Sequence, residues 1–203
     1  MSVDVALFRL INIAWGWDAL APAMRFLSGL VYWIPLLALL VLWMLFRDGR
    51  RGRITVLVLL FLIPASDQIA SHVLKPLVAR PRPCRVEAGI EGVRTHGARC
   101  SRRGSFPSSH AANVAAVAAL LALRYRRARL PAGLIAFLVG YSRVYLGVHY
   151  PSDVAGGWLL GAVLGGAAAG IPLTMRGRAA RLLKRGWNPR HRKPTACRNI
   201  DTR

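Results

Sequence analysis

Apolar side chains run almost unbroken over residues 30–46, 54–74, 109–123, 130–148 and 154–175, and polar or basic residues punctuate the gaps between them. A helix rising 1.5 Å per residue needs roughly 20 residues to cross a ~30 Å hydrocarbon core, and several of these runs approach that length. The 109–123 run falls short, so it is expected to begin in the interface. Pro35 interrupts the first run. Ahead of these lies a less regular segment, 3–27, in which Val5, Phe8, Leu10, Ile11, Trp15 and Leu20 are apolar. Trp15 and Trp17 suit a headgroup boundary, and the segment either lies in the interface or forms a tilted sixth span. The pattern predicts an all-α integral-membrane helical bundle with five or six transmembrane helices. It divides the chain into an N-terminal amphipathic segment (1–28), a helical membrane domain (29–175) and a basic tail (176–203). No internal repeat is visible.

Composition sharpens this picture. Of 203 residues 54% are hydrophobic and only 18% charged, yet the formal net charge is +21. Such a charge raises the question of nucleic acid. The basic residues instead cluster at 47–53, 124–129 and 176–203, each abutting the end of an apolar run, as expected of cytoplasmic loops. Five spans place all three clusters on one side, and they place the 75–108 loop and the 149–153 turn on the other. The expected localisation is therefore a bacterial inner membrane with the polar turns facing the periplasm or exterior, and no nucleic-acid partner. One feature resists the charge rule: the 75–108 loop carries Lys75, Arg80, Arg82, Arg85, Arg94, Arg99, Arg102 and Arg103 against Glu87 and Glu91. These cations need another task. Asp4, Arg9, Asp18 and Arg25 break up the first 25 residues, which argues against a cleavable signal peptide.

Three cysteines show no zinc-like spacing. Cys84 and Cys100 are either unrelated thiols or, if their loop faces an oxidising compartment, a disulfide clamp on it.

Three polar stretches sit at span ends on one side of the expected membrane. In Lys75-Pro-Leu-Val-Ala-Arg-Pro-Arg-Pro83, three prolines stop a helix and force an extended exit, so Lys75 and Arg82 can converge on one anion. In Ser105-Phe-Pro-Ser-Ser-His110, Ser108 or Ser109 caps a helix whose N-terminus favours anions, with His110 in its first turn. In the stretch from Ser142 to Asp153, Arg143 and His149 would point about 240° apart on one helix. Gly147 is therefore expected to end the helix, and Ser152 to cap the next. Asp153, four residues after His149, can reach the imidazole and fix its tautomer. Each residue has a plainer reading alone: a snorkelling cation, a simple cap, an interfacial histidine, a first-turn acid. Asp67, Ser71 and Lys75 share one stripe of the second span, and Asp67 is expected to make a bundle-facing contact, with Arg143 as a candidate partner.

The arrangement Lys75…Arg82-Pro83, Pro107-Ser108-Ser109-His110 and Ser142-Arg143…His149…Asp153 resembles the three-part signature of the type 2 phosphatidic acid phosphatase superfamily, over roughly residues 30–175. Ser109 departs from it, standing where the family more often has Gly. The resemblance implies that His149 is the nucleophile, that Asp153 holds its ring and that His110 is the general acid and base. It further implies that Lys75, Arg82, Arg143, Ser108 and Ser109 bind phosphate, with no metal and no cofactor. The implied substrate is a lipid phosphate or diphosphate. Undecaprenyl diphosphate is first among these, with phosphatidylglycerol phosphate, phosphatidate and the 1-phosphate of lipid A as alternatives. Vanadate-dependent haloperoxidases share the signature, but they are larger soluble proteins. A non-enzymatic alternative is a basic membrane protein that binds anionic lipid or nucleic acid through its tail. Nothing in the sequence sets the oligomeric state.

Overall fold

The computed structural model describes residues 2–171, and every regular element among them is helical. An N-terminal helix α1 (Val3–Arg9) continues as a π-helical turn (Leu10–Ala14), and α2 (Ala21–Ser28) follows. Gly29 separates α2 from α3 (Leu30–Phe46). The next helix, α4 (Gly49–Gln68), passes through a π-helical stretch (Ile69–Leu74) into a last turn, α5 (Lys75–Val78). After a long irregular loop come α6 (Ser109–Arg124), α7 (Arg129–Tyr145) and α8 (Pro151–Ala169). The basic tail expected at 176–203 lies outside the described residues.

Among the described residues two helical stretches are long and apolar enough to cross a membrane: Gly49–Val78, with 30 residues, and Pro151–Ala169, with 19. Asp18–Ser28 and Leu30–Phe46, bent by 43°, make a third if the pair is one span. Ser109–Arg124 is apolar but shorter, at 16 residues or about 24 Å. Large apolar side chains point outward along the bundle, among them Leu36, Leu39, Phe61, Leu134, Leu159 and Val163. The interior mixes small and polar residues, among them Ala112, Ala116, Thr55, Ser66 and Asn12, with a few large apolar ones, Phe8, Met44, Leu120 and Tyr145. In a hydrocarbon solvent large side chains gain little by hiding, and close backbone packing through small residues holds helices together.

The register between α6 and α8 positions the polar ends. Gly157, Gly161 and Gly165 recur every fourth residue on the face of α8 that meets α6. A Cβ at these positions would lie 2.5 Å from the Ser108 carbonyl oxygen, 2.2 Å from that of Ala112 and 2.2 Å from that of Ala116. Only glycine permits this approach. At the far end of α6, the buried Arg124 donates to Thr55 Oγ1 (3.0 Å) and to the carbonyl oxygens of Ala168 and Ile171, tying α4, α6 and α8 together.

One helix end meets the sequence expectation and one departs from it. α7 stops at Tyr145, with Leu146 as cap and Gly147 at φ +69°, so Gly147 does end the helix although the apolar run continues to 148. The last helix starts at Pro151, so its N-cap is Tyr150 and not Ser152. Proline is favoured at the first helical position because its missing N–H would be unpaired there anyway. Asp67 faces Asn113 of α6 at 3.5 Å rather than Arg143.

Candidate active site

His149 lies in the turn between α7 and α8, almost fully buried. Its Nε2 sits 3.1 Å from Arg82 Nη1 and its Nδ1 sits 3.5 Å from Asp153 Oδ2. A guanidinium can only donate, so Nε2 is the acceptor and the ring proton is assigned to Nδ1, facing the carboxylate. That tautomer leaves the Nε2 lone pair directed at the cations. His149 is outside the spanning helices, and burial, helped by the nearby charges of Arg82 and Arg143, pushes its pKa down to about 4 against the pull of Asp153. The ring is therefore neutral near pH 7.

Asp153 is fixed from several sides. Its Oδ2 accepts from the Tyr150 N–H (2.8 Å) and from the Ser105 hydroxyl, while Arg80 Nη1 reaches Oδ1 at 3.0 Å. The Tyr150 bond is the reach-back of an N3 acid to its own N-cap, so the simple first-turn reading and the site reading hold together. Arg80 extends the chain of charges: its Nη2 pairs with Asp4 Oδ2 at 2.6 Å, and its guanidinium lies 3.8 Å above the Tyr150 ring. Asp4 also accepts from the Ser152 N–H (2.9 Å) and hydroxyl (2.6 Å). The N-terminal helix is thereby latched to the start of α8.

The three motif cations converge on this turn from three elements. Lys75, at the end of the second long helix, is buried and donates to Ser109 Oγ, which is also 3.0 Å from Ser71 Oγ. The hydroxyl that stands where the family more often has Gly is thus engaged by the motif lysine. Arg82 is buried, and its fork donates to the carbonyl oxygens of Arg103 (3.0 Å) and Val148 (3.1 Å) besides His149. Burial lowers its pKa from the ordinary arginine value. Arg143, from α7, donates to Ser28 Oγ of α2. Ser108 caps α6, accepting from the Ala111 N–H at 3.5 Å, and its own N–H donates to the Asp153 carbonyl oxygen at 2.9 Å. His110, in the first turn of α6, is exposed. Direct contacts thus join His149, Arg82, Asp153 and Ser108, and Lys75 with Ser109, while His110 follows Ser109 along α6 and Arg143 contacts Ser28.

The loop from Ala79 to Ser108 is held rather than draped. Cys84 and Cys100 form a disulfide, with Cα atoms 6.1 Å apart. The Ser105 N–H donates to the Arg80 carbonyl oxygen at 2.8 Å. Asn12 donates to the carbonyl oxygens of Arg94 (2.7 Å) and Tyr145 (2.6 Å) and accepts from the Arg94 N–H (3.0 Å). His96 stacks on Tyr145 with ring centres 5.3 Å apart and faces Asp18 at 3.0 Å. Sequence reasoning missed Asp4, Arg80, Ser105, Asn12 and Ser28. Only Arg80, inside the proline-rich stretch, and Ser105, at the start of the Ser105–His110 stretch, carried a usable signal.

Chemically, the cluster offers a neutral imidazole with an oriented lone pair, a second histidine at an open mouth, three cations and a helix N-terminus. That suits transfer of a phosphoryl group, where positioning and charge neutralisation dominate. Among the described residues no three His, Cys, Asp or Glu side chains group as a metal site.

Comparison with known proteins identifies the family. The PAP2 superfamily model matches residues 55–175. An undecaprenyl-diphosphatase of Sulfolobus acidocaldarius is 39% identical over 178 residues, covering 79% of this chain and 74% of that protein. A lipid A 4'-phosphatase of Bacteroides thetaiotaomicron is 33% identical over 151 residues, covering 71% of this chain and 65% of its relative. Among solved structures, Aquifex aeolicus LpxE superposes with a TM-score of 0.60 at 27% identity, covering 83% of this chain and 95% of that one. A transmembrane PAP2 type phosphatidylglycerolphosphate phosphatase from Bacillus subtilis gives 0.57 at 29% identity, covering 81% and 80%.

Proposed function

This chain belongs to the PAP2 superfamily, and from that premise we propose that it is a membrane phosphatase that removes phosphate from a lipid phosphate or diphosphate through a phosphohistidine. His149 Nε2 attacks phosphorus, the N–P bond forms, and the P–O bond to the lipid breaks. His110 gives its proton to the departing oxygen. A water then attacks the phosphohistidine while His110 takes its proton, releasing inorganic phosphate and restoring both rings. Asp153 holds the Nδ1 proton and offsets the positive charge that the ring gains. Lys75, Arg82 and Arg143, with Ser108, Ser109 and the first N–H groups of α6, neutralise the phosphoryl oxygens.

The observation that carries this reading is the orientation of His149: Arg82 on Nε2 and Asp153 on Nδ1. The same two groups fix the ring, and phosphate oxygens that take over the Arg82 donor would free the Nε2 lone pair for attack on phosphorus.

Undecaprenyl diphosphate is the first choice of substrate, supported by the 39% identical relative named for that activity. Phosphatidylglycerol phosphate, phosphatidate and a lipid A phosphate stand behind it. The Cys84–Cys100 disulfide supports a site facing an oxidising compartment, and hence an inner-membrane protein whose basic clusters face the cytoplasm. Five spans, α3, α4 with α5, α6, α7 and α8, satisfy that topology.

The test is phosphate release by the purified protein in detergent with EDTA, across a panel of lipid phosphates, with His149→Ala in parallel. Release that persists in EDTA and disappears in the variant is expected. Full activity in His149→Ala would refute the assignment.

A further inference from the structure

A cavity of about 730 Å³ opens beside the site, lined by Lys75, Arg80, Arg82, Arg85, Arg102 and Arg103 against Glu87 alone. Its volume is ordinary for a ligand pocket. Lys75 and Arg82 form its shared wall with the catalytic turn. Two of the other cations are already neutralised: Arg80 by Asp4 and Asp153, and Arg85 by Glu87 at 4.0 Å. Among the described residues Arg102 and Arg103 have no acidic partner within 4.0 Å. They are nonetheless held close to the site. Arg82 Nε donates to the Arg103 carbonyl oxygen at 3.0 Å, the Ser105 N–H is tied to Arg80, and the Cys84–Cys100 bridge joins the two arms of the loop. Like charges gathered on one loop repel, and nothing in the fold requires them there.

We infer that Arg102 and Arg103 form a subsite for a second phosphate of the substrate, on the cavity side of the Lys75–Arg82 wall. This rests on the phosphatase reading above and narrows it to substrates bearing two phosphates in tandem. A monophosphate has three non-bridging oxygens, and Lys75, Arg82 and Arg143 already answer them. A diphosphate brings a second anionic centre adjoining the first, and Arg82, in contact with His149 through Nη1 and with the Arg103 backbone through Nε, links the two places. When the terminal phosphorus is attacked, the inner phosphate leaves still attached to the lipid, and Arg102 and Arg103 meet the charge that it gains. The subsite also gives the basic loop, anomalous for its side of the membrane, a task.

The test compares the full-length wild type with Arg102→Gln/Arg103→Gln and Arg102→Lys/Arg103→Lys, all in the same detergent and salt. Binding is measured by calorimetry with methylenediphosphonate and methylphosphonate, neither of which can be hydrolysed. Hydrolysis is measured with farnesyl diphosphate and farnesyl phosphate. The wild type is expected to prefer the diphosphonate, and the Gln pair to cut that preference, and the diphosphate to monophosphate ratio of kcat/KM, by about tenfold. The Lys pair retains most of both. An equal loss for one and two phosphates would reduce the arginines to general electrostatic attraction and overturn the subsite, as would no change at all. If the wild type releases phosphate from neither farnesyl compound nor any lipid phosphate of the panel above, the phosphatase reading fails, while the calorimetric ratio still decides the subsite.

Discussion

Substituting Gly161 by alanine tests whether the close approach of α8 to α6 sets the catalytic geometry. The added Cβ would stand 2.2 Å from the Ala112 carbonyl oxygen, 2.7 Å from the Ala116 nitrogen and 2.8 Å from Ala115 Cβ. Ordinary contact begins near 3.4 Å, and the first two obstacles are backbone atoms that cannot swing aside. The helices must therefore part by roughly 1 Å. Overpacking of this kind costs about 1–3 kcal/mol, only partly offset by the ~1 kcal/mol that alanine gains over glycine in a helix. The activity should suffer more than the stability. α6 carries Ser108 and His110, α8 carries Asp153, and a misplacement of ~1 Å between reacting groups costs on the order of a hundredfold. Gly166 supplies the control, since a Cβ there meets nothing within 4 Å. Gly166→Ala is expected to hold or raise the midpoint of thermal unfolding and to keep kcat/KM. Gly161→Ala should lower the midpoint by several degrees and kcat/KM by at least tenfold, measured in one detergent with one lipid phosphate. If the two variants behave alike in both assays, the helix-contact reasoning is wrong.

Two further outcomes follow from the turn and the loop. NMR titration of His149 in the ligand-free protein should give a midpoint near 4, well below an ordinary histidine, because burial disfavours the imidazolium. Between that value and the unfolded value of ~6.5 the unfolded chain binds more protons than the native one. Stability therefore falls as pH drops through this window, and His149→Gln should flatten the slope; a midpoint near 6.5 would contradict the burial argument. Reducing the Cys84–Cys100 bridge, or replacing both cysteines by serine, opens a loop of 16-residue separation. A loss of about 3 kcal/mol is expected, with activity falling as Arg82 loses its support, and an unchanged melting curve under reductant would show that the bridge does not brace the site.

Much of the candidate site was legible in the sequence because its parts are local. Lys75 and Arg82 are set apart by prolines, Ser108 and His110 share a helix start, and Asp153 lies one turn beyond His149. Such spacings are dictated by backbone geometry, and a motif can record them. The contacts that brace the site were not legible. Asp4 meets Arg80 across 76 residues and Ser152 across 148, and Asn12 meets Tyr145 across 133. No period or turn rule links residues so far apart. The N-terminal segment read as an amphipathic strip of undecided role, whereas its polar residues clasp the active-site turns.

Hydrophobic runs and segregated charge, read from the sequence alone, determined that the chain is helical and made for a membrane, and the three motifs determined what chemistry gathers at one end. Helix propensity and burial of apolar length act over a few turns, so these features survive in one dimension. Tertiary structure alone decided which residues brace the site, which thiols bridge and which arginines are spent on carboxylates. Those outcomes depend on the register between helices. Here that register is set where Gly157, Gly161 and Gly165 on α8 let backbone meet backbone on α6; their four-residue spacing marks a close-packing face in the sequence, and only the fold decides which helix that face meets.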